Sequence, residues 1–152
     1  SEEQPEPEAP QLPVYPEVGE IFTLTMDGDA PENDPDQMAK ADGCTNLKHN
    51  GKRKVEDTQT RKFRFVQIGY QPNWESVQRA LAKEGKIPEG QWREAVKKPY
   101  RTNGHPMGVA DASWVSSDGD ADFPYVHGRG ESYFVWADDD WDERWLWLVA
   151  VE

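Results

Sequence analysis

Three aspartates at alternate positions have the type and spacing of residues that could bind a metal ion. Asp118, Asp120 and Asp122 follow this pattern. Alternate carboxylates let a loop wrap oxygen atoms around calcium, so a calcium site here is an alternative to solvated turn residues. The EF-hand pattern does not fit, because the sixth position after this start is Phe123 rather than glycine and the twelfth is Arg129 rather than glutamate. We expect no other cofactor.

Paired carboxylates also act as acid and base in glycoside hydrolases, which makes a hydrolase that uses the acidic loops an alternative function. One of the two acids must lie in a dry pocket so that its pKa rises. Most acids here cluster in polar turns, and Asp111, inside the apolar stretch MGVADASW, is the exception. A buried aspartate more often caps a turn or pairs with a base, so we expect no catalytic residue.

Cysteine and histidine give little support to an active site or a metal centre. Cys44 is the single cysteine, which excludes an internal disulfide and multi-cysteine metal sites. It lies five residues before His49, but no orienting partner for a thiolate and base is visible, and we expect an inert thiol. His49, His105 and His127 occupy three separate turns without the i, i+4 spacing of a helical zinc site.

Basic residues interleaved with aromatic ones suggest a second alternative, a polyanion or nucleic-acid site on a predicted hairpin over residues 48–64. Cations beside stacking rings are typical of proteins that bind single strands, and Phe63 and Phe65 supply rings. The same phenylalanines fit the core of an interior strand, and acidic flanks repel a polyanion, so nucleic acid is not the expected partner. The cations concerned are Lys52, Arg53, Lys54, Arg61, Lys62 and Arg64.

Exposed aromatic side chains are the preferred candidates for binding, because seven Trp and five Tyr is a high content and such rings contact sugars and proteins. The stretch FPYVHGRGESYF predicts a hairpin with His127 and Arg129 at its tip, and we expect this tip and the Trp141 turn at one end of the sheet. Surface candidates are Tyr100, Trp114, Tyr125 and Trp141. The expected ligand-binding residues are Tyr125, His127, Arg129 and Trp141.

The elements that would position these residues can be read from periodicity. EIFTLTMD alternates as a strand, RKFRFVQIGY is apolar on both faces like an interior strand, and residues 27–43 have loop composition. Asn73 caps a helix that stops at Gly85, and a second short helix opens at Pro88. Asn50-Gly51 predicts a hairpin turn. Further strands follow in MGVADASW, FPYV, ESYFVWA and RWLWLVAV. The order predicts an α+β domain with a mostly antiparallel sheet.

The last segment, RWLWLVAV, is predicted to be a central strand covered on both sides. Side chains alternate along a strand, and here both resulting faces are apolar. The tryptophans of this strand are therefore interpreted as core, whereas Trp141 in the preceding acidic turn is the one expected to be exposed. One face would carry Trp145, Trp147, Val149 and Val151, and the other Leu146, Leu148 and Ala150.

Residues 1–18 are predicted to form an extended, acidic, Pro-rich arm, and residues 19–152 a single domain. Two PxxP patterns lack an orienting arginine, so Leu12, Val14 and Tyr15 are expected to pin the arm to the protein. No apolar run reaches the length of a membrane span, which predicts a soluble protein, and nothing indicates a compartment.

Charge is segregated along the chain, whose net charge is −12. Residues 1–39 carry eleven acids and no Lys or Arg, residues 40–103 have an excess of bases, and residues 104–152 are acidic again. Such blocks attract each other, within one molecule or between neighbours. Together with the absence of a catalytic pattern, this favours a non-enzymatic binding or assembly module. The expected partner is a protein or a second copy, with a carbohydrate as an alternative.

Overall fold

The computed structural model describes residues 11–152, and this part of the chain contains eight strands, three α-helices and one short 3-10 helix (Pro31–Asn33). The strands are β1 (Phe22–Asp27), β2 (Leu47–His49), β3 (Thr58–Val66), β4 (Met107–Gly108), β5 (Trp114–Ser116), β6 (Ala121–Val126), β7 (Ser132–Trp136) and β8 (Leu146–Ala150). The helices are α1 (Pro35–Ala41), α2 (Trp74–Ala82) and α3 (Trp92–Lys97). None of these helices is long and apolar enough to cross a membrane.

All eight strands belong to one sheet with the order β1-β3-β8-β4-β6-β5-β2, and β7 pairs with β6 outside this path. Pairing between the named strands is antiparallel except for β4 with β8. The predicted α+β fold with a mostly antiparallel sheet is therefore confirmed. Asp122 of β6 pairs with Trp114 on one side and Trp136 on the other, so β7 is an outer strand.

Strand β8 lies in the middle of the sheet and is covered on both faces, as its sequence predicts. Leu146, Leu148 and Ala150 pack in a core cluster with residues of α3, including Trp92 and Val96. Trp147 and Val149 pack on the opposite face, in a cluster that contains α2 residues. Two helices on opposite faces explain why the strand carries no charged side chain at every second position.

Strands β1 and β3 also match their sequence patterns. Phe22, Leu24 and Met26 are buried while the residues between them are exposed. β3 lies between β1 and β8, and Phe63 and Phe65 are fully buried. The interior position predicted for this strand is confirmed.

Helix α2 begins where its capping residue predicts. The Asn73 side chain accepts a hydrogen bond from the Ser76 amide at 2.9 Å, which satisfies a free N–H of the first turn. The apolar face of this helix buries Val77 and Leu81. Helix α3 begins at Trp92 rather than at Pro88, so the predicted start of the second helix was four residues too early.

Two local predictions were wrong. The segment interpreted as a loop over residues 27–43 contains α1, which buries Met38 and Ala39. The Asp34 side chain caps this helix by accepting from the Gln37 amide at 3.1 Å. The turn at Asn50-Gly51 does not join a hairpin, because β2 pairs with β5 rather than with the following chain. A long-range partner was available, and local turn preference did not decide the pairing.

The described part of the predicted arm, residues 11–18, lies against the domain, while residues 1–10 are outside the described residues. Tyr15 is buried and packs against Phe65 with ring centroids 5.2 Å apart. Its amide donates to the Arg101 carbonyl at 3.1 Å. Leu12 and Val14 leave their side chains 43% exposed, so Tyr15 is the apolar anchor of this segment.

Candidate functional site

The hairpin predicted to carry the binding loop is present as β6 and β7. The His127 amide donates to the Glu131 carbonyl at 2.7 Å, which closes the turn between the strands. His127 and Arg129 lie in this turn, and His127 Nδ1 is 3.6 Å from a carboxylate oxygen of Glu131. Tyr125 is half-buried on β6, with its ring centroid 5.3 Å from that of Trp145.

Trp141 is buried, so the prediction that it is the exposed tryptophan was wrong. Only 5% of its surface is accessible. Its ring lies edge-on to Phe123 and Trp145, with centroid distances of 5.0 Å in both cases. Its indole N–H donates to the Ala137 carbonyl at 3.3 Å. The acidic residues before and after Trp141 are largely exposed, but its ring packs in the core beneath them.

The hairpin tip and the Trp141 turn follow different strands of the hairpin. The tip follows β6 at Val126, whereas the Trp141 turn follows β7 at Trp136, which is at the other end of the same hairpin. Trp114 was also expected at the surface and is fully buried, with its N–H donating to the Pro35 carbonyl at 2.9 Å. Ligand binding by Tyr125, His127 and Arg129 stays a prediction, whereas Trp141 is buried and does not present its ring to solvent.

The exposed aromatic residues that sequence reasoning missed are Tyr70, at 57% exposure, and Tyr133 and Trp136 on β7, at 42% and 46%. The segment ESYFVWA is apolar on both faces, which is typical of a covered strand. Because β7 lies outside the main path of the sheet, part of each ring faces solvent. The run of acids that follows Trp136 was the one available sign of exposure.

Acidic residues lie beside Trp136 in the sheet and after it in the sequence. Asp122 is its cross-strand partner, and paired residues of an antiparallel sheet lie side by side on the same face. Asp138, Asp139 and Asp140 follow Trp136 after the buried Ala137 and are exposed. Burial, together with the nearby charge of Asp120, raises the pKa of the Asp122 carboxyl. We call Trp136 and the carboxylates of residues 118–122 and 138–140 the acidic end of the hairpin.

The basic residues of the polyanion alternative are mostly neutralised by the protein itself. Phe63 and Phe65 are fully buried, so their rings are not available for stacking on bases. Several of the cations lie within ion-pair distance of carboxylates. These pairs are Arg53–Asp111 at 3.4 Å, Lys54–Asp34 at 3.6 Å, Arg61–Glu89 at 3.3 Å and Arg64–Glu84 at 3.1 Å.

No three carboxylate, histidine or cysteine side chains converge on a metal-sized site within residues 11–152. Asp118, Asp120 and Asp122 lie in the β5–β6 turn and at the start of β6. Calcium binding by these three aspartates stays a prediction that a calorimetric titration can test.

Asp111 holds loops together. It is 2% exposed, and one carboxylate oxygen accepts from the Gly90 amide at 2.7 Å. The other oxygen accepts from the Ser113 hydroxyl and lies 3.4 Å from Arg53. A β-carbon at Gly90 would lie 2.5 Å from the Trp114 ring, so glycine is needed for this close approach. These contacts fit the structural role expected of a buried aspartate.

Cys44 and His49 occupy different environments. Cys44 packs against a small cluster that includes Met38 and Phe134, and burial raises the pKa of its thiol. His49 is 8% exposed and packs edge-on to Trp114, with ring centroids 4.7 Å apart. Its Nδ1 accepts from the Gly51 amide at 3.0 Å, and its Nε2 has no partner among the described residues.

We expect His49 to make the protein less stable in mild acid. Burial lowers the pKa of this imidazole from its ordinary value of 6.5, although Asp111 and Asp36 act against this shift. The unfolded chain then binds the proton more readily, so the free energy of unfolding falls as the pH drops below about 6.5. Measured by urea denaturation, the free energy of unfolding should fall less between about pH 8 and about pH 5 for His49→Gln than for the native chain. The control His105→Gln should lose as much free energy of unfolding over this range as the native chain, and equal losses in all three proteins would contradict the prediction.

Comparison with protein-family models, with curated proteins and with solved structures gives no match to this chain.

Proposed function

We propose that this protein is a non-enzymatic binding module for a protein partner with a basic surface, and that the contact is made at the acidic end of the β6–β7 hairpin. The observation that carries the proposal is a tryptophan ring left 46% exposed among carboxylates. Tryptophan is enriched at the energetic centres of protein interfaces, and carboxylates around such a ring add charge that can select a partner.

The chemistry of this surface favours a partner with positively charged side chains. The face of an indole attracts lysine and arginine side chains, and surrounding carboxylates add charge-assisted hydrogen bonds. The same carboxylates repel a polyanion. They also disfavour a second copy at this surface, because the chain carries a net charge of −12. A partner segment rich in Lys or Arg therefore fits better than nucleic acid or self-association.

The position of β7 determines how a partner would approach. Within residues 11–152 this strand pairs only with β6, and the exposed residues Tyr133 and Trp136 lie on opposite sides of it, since they are three positions apart. Cys44 packs against the cluster that contains Phe134, so part of this outer edge is already covered. A partner would thus reach around the outer edge of β7 and bind mainly through side chains. The predicted acidic arm, residues 1–18, is a second acidic attachment in this proposal.

Replacing Trp136 by alanine should weaken binding of a basic peptide by about tenfold, the loss typical of an aromatic anchor at an interface. The probe is a labelled peptide of about ten residues, mostly Lys and Arg, titrated with the protein at low and moderate salt and followed by fluorescence anisotropy. The triple variant Asp138→Asn, Asp139→Asn, Asp140→Asn should also lose affinity and most of the salt dependence.

A matched control separates this surface from general attraction to an acidic protein. Glu20→Gln, Glu56→Gln and Glu75→Gln together remove the same charge at exposed positions outside the hairpin and outside the arm. This control should bind the peptide nearly as well as the native chain. If it loses as much affinity as the Asp138–Asp140 variant, and if Trp136→Ala has no effect, the hairpin is not the binding surface.

A further inference from the structure

A cleft lies at the end of the hairpin opposite to the acidic end, where the β6–β7 turn meets the chain that follows α3. Its volume is about 380 Å³. Three cationic side chains and two phenols contribute to its lining, which includes Lys97, Arg101, Arg129, Tyr15, Tyr100 and Thr102. This composition is unlike the acidic end of the hairpin and indicates a different ligand.

The arginines of this cleft differ from the others in the protein. Of the eight arginines in the sequence, six lie within 4.0 Å of a carboxylate of the described residues. Arg101 and Arg129 form no such pair within residues 11–152, and both line the cleft. Lys97 lies 3.2 Å from Glu94, but this carboxylate is shared with Arg93 at the same distance. The cleft therefore keeps a positive charge.

The backbone that carries these cations is held in place. Arg101 pairs with the segment before Tyr15, because its amide donates to the Pro13 carbonyl at 2.9 Å and its Nε to the Leu12 carbonyl at 2.8 Å. The turn that carries Arg129 packs tightly, since a β-carbon at Gly128 would lie 2.4 Å from the Gly104 carbonyl oxygen. A backbone that is already ordered removes the cost of ordering the main chain when a ligand binds.

The phenols add uncharged donors to the lining. Burial raises the pKa of Tyr15 to about 12, although a hydrogen bond with Thr102 acts against this shift. The hydroxyl therefore stays protonated at neutral pH and can donate to an oxygen atom.

We propose that this cleft binds an oxyanion, the phosphate or carboxylate group of a small molecule, through Arg101 and Arg129. Guanidinium groups match both kinds of oxyanion with two parallel hydrogen bonds, and Lys97 adds charge without such geometry. The site does not depend on the binding surface proposed around Trp136, because the two lie at opposite ends of the hairpin.

Isothermal titration of the full chain with pyrophosphate and with citrate, at low ionic strength and neutral pH, tests the proposal. At least one of these anions should bind with millimolar or tighter affinity. Arg129→Gln should weaken that binding by about tenfold, since a charge-assisted bidentate contact is lost. The Arg129 side chain is exposed, so its replacement should leave the melting temperature unchanged. Lys83→Gln removes an exposed cation elsewhere and should bind like the native chain.

A further variant separates two sources of the oxyanion, an added small molecule and the glutamates near the start of the chain itself. Glu2, Glu3, Glu6 and Glu8 lie outside the described residues, and their carboxylates are a competing source of oxyanions. If replacing all four by glutamine strengthens anion binding and Arg129→Gln reverses the gain, the cleft binds oxyanions and the chain supplies one itself. No anion binding in either background, or equal losses for Arg129→Gln and Lys83→Gln, would overturn the proposal.

Discussion

Replacing Trp147 by alanine should lower the free energy of unfolding by about 3–5 kcal/mol, the range measured for large aromatic residues in well-packed cores. Only 1% of this side chain is accessible. Its ring stacks on Trp145 with centroids 5.3 Å apart and lies 5.5 Å from the Phe123 centroid. Since both faces of β8 are covered, the neighbouring groups cannot easily collapse into the space left by the indole.

Trp136→Ala is the matched control, because it removes the same side chain from a site that is 46% exposed. We expect it to cost less than about 1.5 kcal/mol, since roughly half of the ring is in contact with water already. Denaturant titrations of both variants should give similar slopes and different midpoints. If Trp147→Ala is no more destabilising than Trp136→Ala, β8 is not the centre of the core.

Arg93→Met should destabilise the protein by about 3–5 kcal/mol, because it leaves a buried carboxylate without its partner. The Arg93 side chain is fully buried, and one of its nitrogens lies 2.7 Å from the Asp42 carboxylate, whose side chain is 6% exposed. The same nitrogen donates to the Tyr133 carbonyl at 3.0 Å, and the guanidinium lies 5.2 Å from the Phe134 ring centroid. Methionine preserves much of the apolar stem and removes the charge.

A double-mutant cycle separates the loss of the pair from the loss of packing. Adding Asp42→Asn to Arg93→Met removes the unpaired charge, so the double variant should regain a large part of the stability. Lys98→Met at the C-cap of the same helix is the control, since Lys98 is 59% exposed and 3.7 Å from Glu32, and a surface pair contributes about 0–1 kcal/mol. Additive effects of Arg93→Met and Asp42→Asn would show that the two side chains do not interact.

The position of Arg93 links the stability of the fold to both proposed binding surfaces. This residue joins the end of α1, helix α3 and the outer strand β7 through Asp42 and the Tyr133 carbonyl. Without Arg93, β7 would be held to the rest of the domain by its pairing with β6 and by the packing of Phe134. We therefore expect the buried ion pair to hold the hairpin in the orientation that its two ends require.

Much of the fold follows from local patterns in the sequence. Alternation in EIFTLTMD, the Asn73 cap and the two apolar faces of β8 each predicted an element that the structure contains. These predictions succeeded because a strand or helix that buries one face must repeat apolar residues with its own period, whatever surrounds it. The fold class and the central position of β8 were determined in this way.

Local patterns failed where a distant partner decided the outcome. Helix α1 forms in a polar stretch because Met38 and Ala39 find a cluster that includes Trp114, far away in sequence. Asn50-Gly51 does not make a hairpin because β5 pairs with β2. Arg93 gave no sign of burial, since a charged residue on a short helix is normally solvated and only a partner such as Asp42 makes its burial tolerable.

The candidate sites depended most on tertiary structure. The composition around Trp136 and that around Trp141 are alike, since each tryptophan adjoins a run of acids. Trp141 is buried because its ring meets Phe123 and Trp145, whereas Trp136 is exposed because β7 lies outside the main path of the sheet. Sequence determined which residues could bind a partner, and long-range packing decided which of them reach solvent, because exposure depends on neighbours that no local pattern specifies.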